Sequence, residues 1–167
     1  DSLASDNVLS LVEGRDGTLW VGTADRGLDE RCSGCKGFRH HVYDAARTGS
    51  IASDYVTIVY ETRAGELWTG GPSGLGHYDR ATDRFQSFQA DRNDPRSLGA
   101  DFITTIFEDG RGRLWAGTQG GGLNRLVSDA ADRVHFEAID THAGLAADAA
   151  GAMVEDADGN LWASTTA

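Results

Sequence analysis

Four aspartates recur along the chain and carry side chains suited to binding a ligand. They lie 48, 47 and 47 residues apart, at Asp6, Asp54, Asp101 and Asp148. Tyr55 directly follows the second aspartate and Phe102 the third. Carboxylates accept hydrogen bonds from sugar hydroxyls or coordinate a cation, and an aromatic ring offers a face for stacking. These six residues are the candidate ligand-binding residues. A structural role is the alternative, in which each aspartate accepts backbone N–H bonds and fixes a turn, and its recurrence in every copy favours that role.

The only two cysteines, Cys32 and Cys35, lie three residues apart. This spacing leaves three alternatives open: a local disulfide, two free thiols, or a metal or redox site. A zinc site needs two further ligands, and of the adjacent His40 and His41 at most one can join, because consecutive strand residues point to opposite faces. A thioredoxin-type site needs a strand that leads into a helix, and that pattern is missing here.

The sequence predicts no catalytic residue, no metal and no cofactor. None of the five histidines has a nucleophile at a position typical of a catalytic pair. The glycine-rich segment "GTQGGGLN" lies between two predicted strands, so it lacks the helix N-terminus that binds phosphate.

The aspartates belong to a larger repeat of about 47 residues. Its clearest markers are the tryptophans Trp20, Trp68, Trp115 and Trp162. A glutamate lies seven residues before each tryptophan, at Glu13, Glu61, Glu108 and Glu155. We expect these glutamates to hold a hairpin or a neighbouring repeat. Self-similarity at a fixed period indicates a repeat architecture. We delimit the repeats as residues 3–50, 51–97, 98–144 and an incomplete 145–167.

Each repeat reads as four short strands. A run rich in valine, isoleucine and threonine leads to a glycine-containing turn, and the "LWxGT" segment follows as a second strand. Two further strands complete the unit, with no helical pattern. Four antiparallel strands in about 45 residues are typical of a β-propeller blade. We therefore predict an all-β protein, a β-propeller fragment of about three and a half four-stranded antiparallel blades.

The repeat explains why small residues follow each tryptophan. We expect the indole ring to lie as a wedge between neighbouring blades. The small residues behind it, such as Val21 and Gly22, leave room for the next sheet to approach. One blade cannot bury both faces of its sheet, so the repeats need one another.

Charge limits the classes of partner. The chain has 167 residues and a net charge of −11, with the acidic residues spread along it. Nucleic acid and anionic lipid both need a positive surface, so neither is an expected partner. No run approaches the ~18 apolar residues of a membrane span, so we expect no membrane contact by this segment.

The pattern "LSxDxV…EDxxGxLWxGTxxGGLxR…F" resembles the two-component regulator propeller repeat. The segment "IFEDGRGRLWAGTQGGGLNRL", residues 106–126, is the most similar stretch. The resemblance implies a ligand-sensing, non-enzymatic β-propeller in the periplasmic part of a membrane-bound bacterial hybrid histidine kinase or diguanylate cyclase. It also implies a small-molecule or carbohydrate ligand. In the oxidising periplasm, a Cys32–Cys35 disulfide is the favoured alternative.

Other partners and functions remain open at this point. We expect the chain to be a piece of a longer protein, so its partners include further blades of that protein, and a homodimer is a further alternative. A propeller that acts as a protein-interaction scaffold is the second functional hypothesis. A propeller lyase of the streptogramin-inactivating kind is the third, and it would need a metal and a catalytic histidine at a strand entrance.

Overall fold

The computed structural model describes residues 2–128 and 133–166. This part of the chain consists of β-strands and one short 3-10 helix, Thr141–Ala143, which Asp140 caps. Within it, no helix has the length and apolar character that a membrane crossing requires. The chain divides into two compact units, Asp1–Pro72 with Gly76–Ser87 and Ser73–Leu75 with Phe88–Ala167.

The first unit contains one complete sheet and most of a second. The first sheet has the order β1 (Val8–Glu13), β2 (Leu19–Thr23), β3 (Leu28–Arg31) and β4 (Arg39–His41). The second sheet has the order β5 (Ile58–Glu61), β6 (Leu67–Gly71), β7 (Gly74–Asp79) and β8 (Arg84–Phe88).

The second unit contains a third four-stranded sheet and a two-stranded one. The third sheet consists of β9 (Ile103–Glu108), β10 (Leu114–Thr118), β11 (Leu123–Ser128) and β12 (Val134–Ile139). The last sheet pairs β13 (Ala149–Glu155) with β14 (Leu161–Thr166). The prediction of an all-β protein with three four-stranded blades and half a blade is confirmed. The boundaries between repeats stay a prediction.

The hairpin turns have the predicted chemistry. Between β9 and β10, the Asp109 N–H donates to the Arg113 carbonyl at 3.0 Å, and the Gly112 N–H donates to the Asp109 carbonyl at 2.9 Å. Gly112 has φ +77°, a conformation that residues with a Cβ rarely adopt. The glycine therefore permits the tight return that brings the "LW" segment alongside the preceding strand.

The tryptophans pack between consecutive sheets in both units. Trp20 is fully buried in a cluster that includes Val56, Val59 and Leu67 of the following sheet. Trp115 is 6% exposed and packs in a cluster with Ala150 of the sheet that follows its own. These positions confirm the wedge between adjoining blades.

Trp68 is buried too, but Trp162 is not. The Trp68 ring stacks on His77 with 4.5 Å between ring centroids. Trp162 is 63% exposed, so the prediction of a buried wedge is wrong at this position. The physical reason is that no later strand within residues 2–128 and 133–166 packs on the face of β13 and β14 that carries Trp162.

Glycines and glutamates join consecutive sheets as the repeat predicts. A Cβ on Gly22 would lie 2.7 Å from the Val56 carbonyl oxygen, so only glycine lets the next sheet approach this closely. The Arg15 N–H, in the β1–β2 turn, donates to Glu61 Oε1 at 2.8 Å. In the second unit, the Gly110 N–H donates to the Glu155 carboxylate in the same way. Each of these two glutamates therefore holds the turn of the preceding sheet.

Candidate functional site

The candidate site lies where the chain enters each inner strand, and Asp54 shows how that entrance is built. Its Oδ1 accepts a hydrogen bond from the Tyr43 N–H at 2.7 Å. Its backbone carbonyl accepts one from the Gly27 N–H at 2.8 Å, at the start of β3. Asp54 thus ties the loop before β5 to the preceding sheet. This is the structural alternative that the sequence analysis raised.

Two further aspartates repeat this geometry in the second unit. Asp101 Oδ1 accepts from the Ala90 N–H at 2.7 Å. Asp148 Oδ1 accepts from the Thr141 N–H at 2.7 Å, and its carbonyl accepts from the Gly122 N–H, also at 2.7 Å. Asp6 lies exposed before β1, and within the described part of the chain its carboxylate has no hydrogen-bond partner. The ligand-binding role of all four stays a prediction.

The aromatic residues at these entrances are open to solvent. Tyr55 is 43% exposed and Phe102 is 40% exposed, each directly after its aspartate. The structure adds a third ring, Tyr43, which is 50% exposed and whose N–H is bound by Asp54. Tyr43 is not among the residues predicted from the sequence. The residue eleven positions before Asp101 is Ala90, so Tyr43 departs from the repeat, and that departure was the available clue.

Over residues 2–128 and 133–166, no group of three or more His, Cys, Asp or Glu side chains lies close enough together to hold a metal ion. Asp54, Asp101 and Asp148 each bind a different backbone N–H through the carboxylate.

A second aspartate position, which the sequence analysis overlooked, holds the tryptophans. Asp109 Oδ2 accepts hydrogen bonds from Trp115 Nε1 at 2.9 Å and from Arg113 Nε at 2.6 Å. Its Oδ1 accepts from the Arg111 and Arg113 N–H groups. Burial by itself raises the pKa of Asp109, but these hydrogen bonds outweigh it and lower the pKa to about 2.

The same arrangement recurs at the last tryptophan and is absent at the first. Trp162 Nε1 donates to Asp156 Oδ2 at 2.8 Å, and this bond is the main cause that lowers the pKa of Asp156 to about 2. Gly14 occupies the equivalent position before Trp20, and the buried Trp20 Nε1 has no hydrogen-bond partner among the residues that the structure describes. The guanidinium of Arg80 lies over the Trp20 ring instead, 5.4 Å from its centroid.

The two cysteines form a disulfide in the loop between β3 and β4, with 5.2 Å between their Cα atoms. The neighbouring histidines are engaged elsewhere. His40 Nδ1 lies 2.5 Å from Asp29 Oδ1, and His41 Nε2 lies 2.8 Å from Glu30 Oε2. Neither histidine therefore completes a zinc site with the sulfur atoms.

Solved structures of other proteins share the fold of this chain. The extracellular domains of two putative hybrid two component systems from B. thetaiotaomicron, BT3049 and BT4673, match with TM-scores of 0.79 and 0.76 at 23% and 21% identity. These matches cover 98% and 96% of this chain but 22% of each of those chains. A catalytically inactive virginiamycin B lyase from Staphylococcus aureus, solved with quinupristin, matches with a TM-score of 0.62 at 16% identity, over 97% of this chain and 50% of the lyase. The chain has a β-propeller fold.

The family comparison identifies the kind of blade. Residues 2–25, 97–120 and 144–167 match the two component regulator propeller. These three segments, which together cover less than half of the chain, are therefore similar to repeats of the two-component regulator propeller. No curated protein matches the chain significantly.

Proposed function

We propose that this chain is part of a ligand-sensing β-propeller in the periplasmic region of a membrane-bound bacterial signalling protein, either a two-component hybrid kinase or a diguanylate cyclase. Two observations support the proposal: the propeller repeats, and the fold shared with extracellular domains of putative hybrid two component systems. The chain spans 22% of the length of those structures. The proposed role is binding without catalysis.

The observation that carries the proposal is the group formed by Tyr43, Asp54 and Tyr55. Both rings are about half exposed, although apolar surface of this size costs free energy in contact with water. One carboxylate oxygen of Asp54 is held by the Tyr43 N–H, which fixes the side chain without using its second oxygen. Flat rings beside a fixed hydrogen-bond acceptor suit a carbohydrate or another small polar ring compound.

The position of this group also suggests how binding is transmitted. The Asp54 carbonyl accepts from Gly27 of the preceding sheet, so a ligand held at Asp54 touches the joint between two sheets. A ligand that prefers one geometry of that joint shifts the population toward it. We propose that this shift is passed to the output domain.

Replacing Tyr55 with alanine is expected to weaken ligand binding by about tenfold, the loss of one stacking contact, without lowering the melting temperature. The first step is a thermal-shift screen of the chain against a panel of oligosaccharides. Titration calorimetry then measures the affinity of the stabilising sugar for wild type, Tyr55→Ala and Tyr43→Ala. Trp162→Ala serves as the control, because it removes an exposed ring from a different unit. Equal affinity in all four proteins would contradict the proposed site.

A protein-interaction scaffold is the second candidate. The exposed apolar side chains of Leu11, Val154 and Trp162 support it, since such surface is typical of protein contacts. We expect further blades of the same protein to bind there, with a homodimer as the alternative. Stabilisation by a protein partner and by none of the sugars would favour the scaffold. The likeness to the lyase is one of fold and adds no catalytic proposal.

A further inference from the structure

The disulfide occupies a position where another blade uses an ordinary hydrogen bond. Cys32 and Cys35 lie five and eight residues after Gly27, and Asp79 and Thr82 lie five and eight residues after Gly74. The Thr82 hydroxyl donates to Asp79 Oδ2 at 2.5 Å, and the Ala81 N–H donates to Asp79 Oδ1 at 2.9 Å. The second hairpin is therefore closed without a covalent link, so the blade itself does not require one.

The disulfide is placed where a reductant can reach it. Both cysteines are exposed, and a cavity of about 190 Å³ opens beside them, lined by Gly17, Leu19, Arg31, Cys32, Ser33 and Gly34. Arg31 Nε donates to the Cys35 carbonyl at 3.1 Å, and the chain's single lysine, Lys36, follows directly. Positive charge near a cysteine favours the thiolate, which is the reactive form in disulfide exchange.

The cysteine loop also touches the turn that holds the next blade. A Cβ on Gly17 would lie 3.1 Å from the Ser33 side chain, so the loop rests on the β1–β2 turn. Two residues of that turn bind the second sheet: the Arg15 N–H donates to Glu61, and Asp16 pairs with Arg80 at 2.9 Å. A change in the cysteine loop thus reaches the joint between the two sheets through one turn.

We propose that the Cys32–Cys35 disulfide is a reversible redox site, reduced by a dithiol, and that its redox state sets how firmly the β1–β2 turn holds the second sheet. A thiolate of the dithiol attacks one sulfur, and the other cysteine leaves as a thiolate and takes up a proton. The second thiol of the reductant then displaces the first cysteine. The two cysteines gain two electrons and two protons, and the reductant becomes a disulfide. The proposal does not depend on the identity of the ligand.

The first test measures the redox equilibrium in the folded chain. The chain is incubated with dithiothreitol and its oxidised form at varied ratios, free thiols are trapped with a maleimide, and the reduced fraction is read by mass. We expect complete, reversible reduction without unfolding. Arg31→Gln should need about threefold more dithiothreitol for half-reduction, because the thiolate loses a neighbouring charge. Arg92→Gln, in an exposed loop of the other unit, should behave as wild type. A disulfide that is reduced only when the chain unfolds would overturn the proposal.

The second test measures the coupling. Reduction should speed hydrogen exchange of the Arg15 amide by about tenfold and lower the melting temperature by about 5 °C. The control, Cys32→Asp with Cys35→Thr, copies the second hairpin and should stay folded and insensitive to dithiothreitol. The pair Cys32→Ser with Cys35→Ser should match the reduced wild type under all conditions. Unchanged exchange of the Arg15 amide on reduction would show that the disulfide is only a local link and would overturn the proposal.

Discussion

Replacing Trp20 with alanine is expected to lower the free energy of unfolding by about 3–5 kcal/mol. The side chain is fully buried and contacts apolar residues of two sheets, so its removal leaves a cavity where they meet. The following sheet cannot close that cavity, because Gly22 already lets Val56 approach as near as sterics allow. Urea denaturation, monitored by far-UV circular dichroism, measures this free energy.

The matched control is Trp162→Ala. This ring has the same place in its repeat but is 63% exposed, so its loss should change the free energy of unfolding by less than about 1 kcal/mol. Equal losses at the two positions would show that burial between sheets does not explain the tryptophan repeat. A large loss at Trp162 alone would point to contacts that only an associated form of the chain makes.

Replacing Asp109 with alanine is expected to cost about 2–4 kcal/mol in the free energy of unfolding. The change leaves the buried Trp115 indole N–H and two N–H groups of the β9–β10 turn without their acceptor. Asp109→Asn keeps one acceptor oxygen and should lose about half as much. Chemical denaturation at pH 7 distinguishes the two variants.

The stabilisation that Asp109 provides should also depend on pH. Its pKa in the folded chain is about 2, below the ordinary aspartate value of 3.8, so the folded state favours the carboxylate. Stability from this group is therefore complete above pH ~5 and disappears as the pH falls through about 2. The difference in unfolding free energy between wild type and Asp109→Ala, measured from pH 7 down to pH 2, should shrink accordingly. A difference that stays constant over this range would contradict the role of the charge.

The repeat period predicted the strands well because every blade solves the same packing problem. The tryptophan and the glutamate seven residues before it recur for that reason. As expected, Glu61 and Glu155 each bind a backbone N–H in the turn of the preceding sheet. The fourth strand was harder to place. The segment "FRHHVY" forms a strand only over Arg39–His41, since the Tyr43 N–H is bound by Asp54 instead of a neighbouring strand.

The features that the sequence analysis missed are those that differ between repeats or depend on the whole assembly. Asp109 and Asp156 bind the indole N–H, but Gly14 and Thr62 stand at the same position in the other two repeats, which hid the pattern. The exposure of Trp162 depends on what packs against its sheet, and no local motif encodes that. Tyr43 became visible as a candidate only through its backbone bond to Asp54.

Gly14 illustrates how similar blades of one chain can be kept from pairing incorrectly. A Cβ at this position would lie 2.5 Å from Glu61 Oε2, so an aspartate here would collide with the glutamate of the next sheet and repel it. The joints after the first and third blades share the glutamate contact, and the first adds an ion pair between Asp16 and Arg80. Look-alike modules in one chain risk pairing in the wrong order while they fold. Contacts that differ from joint to joint favour pairing of each sheet with its correct neighbour. A chain whose repeats are placed in a different order should therefore assemble poorly, even though each repeat retains its tryptophan.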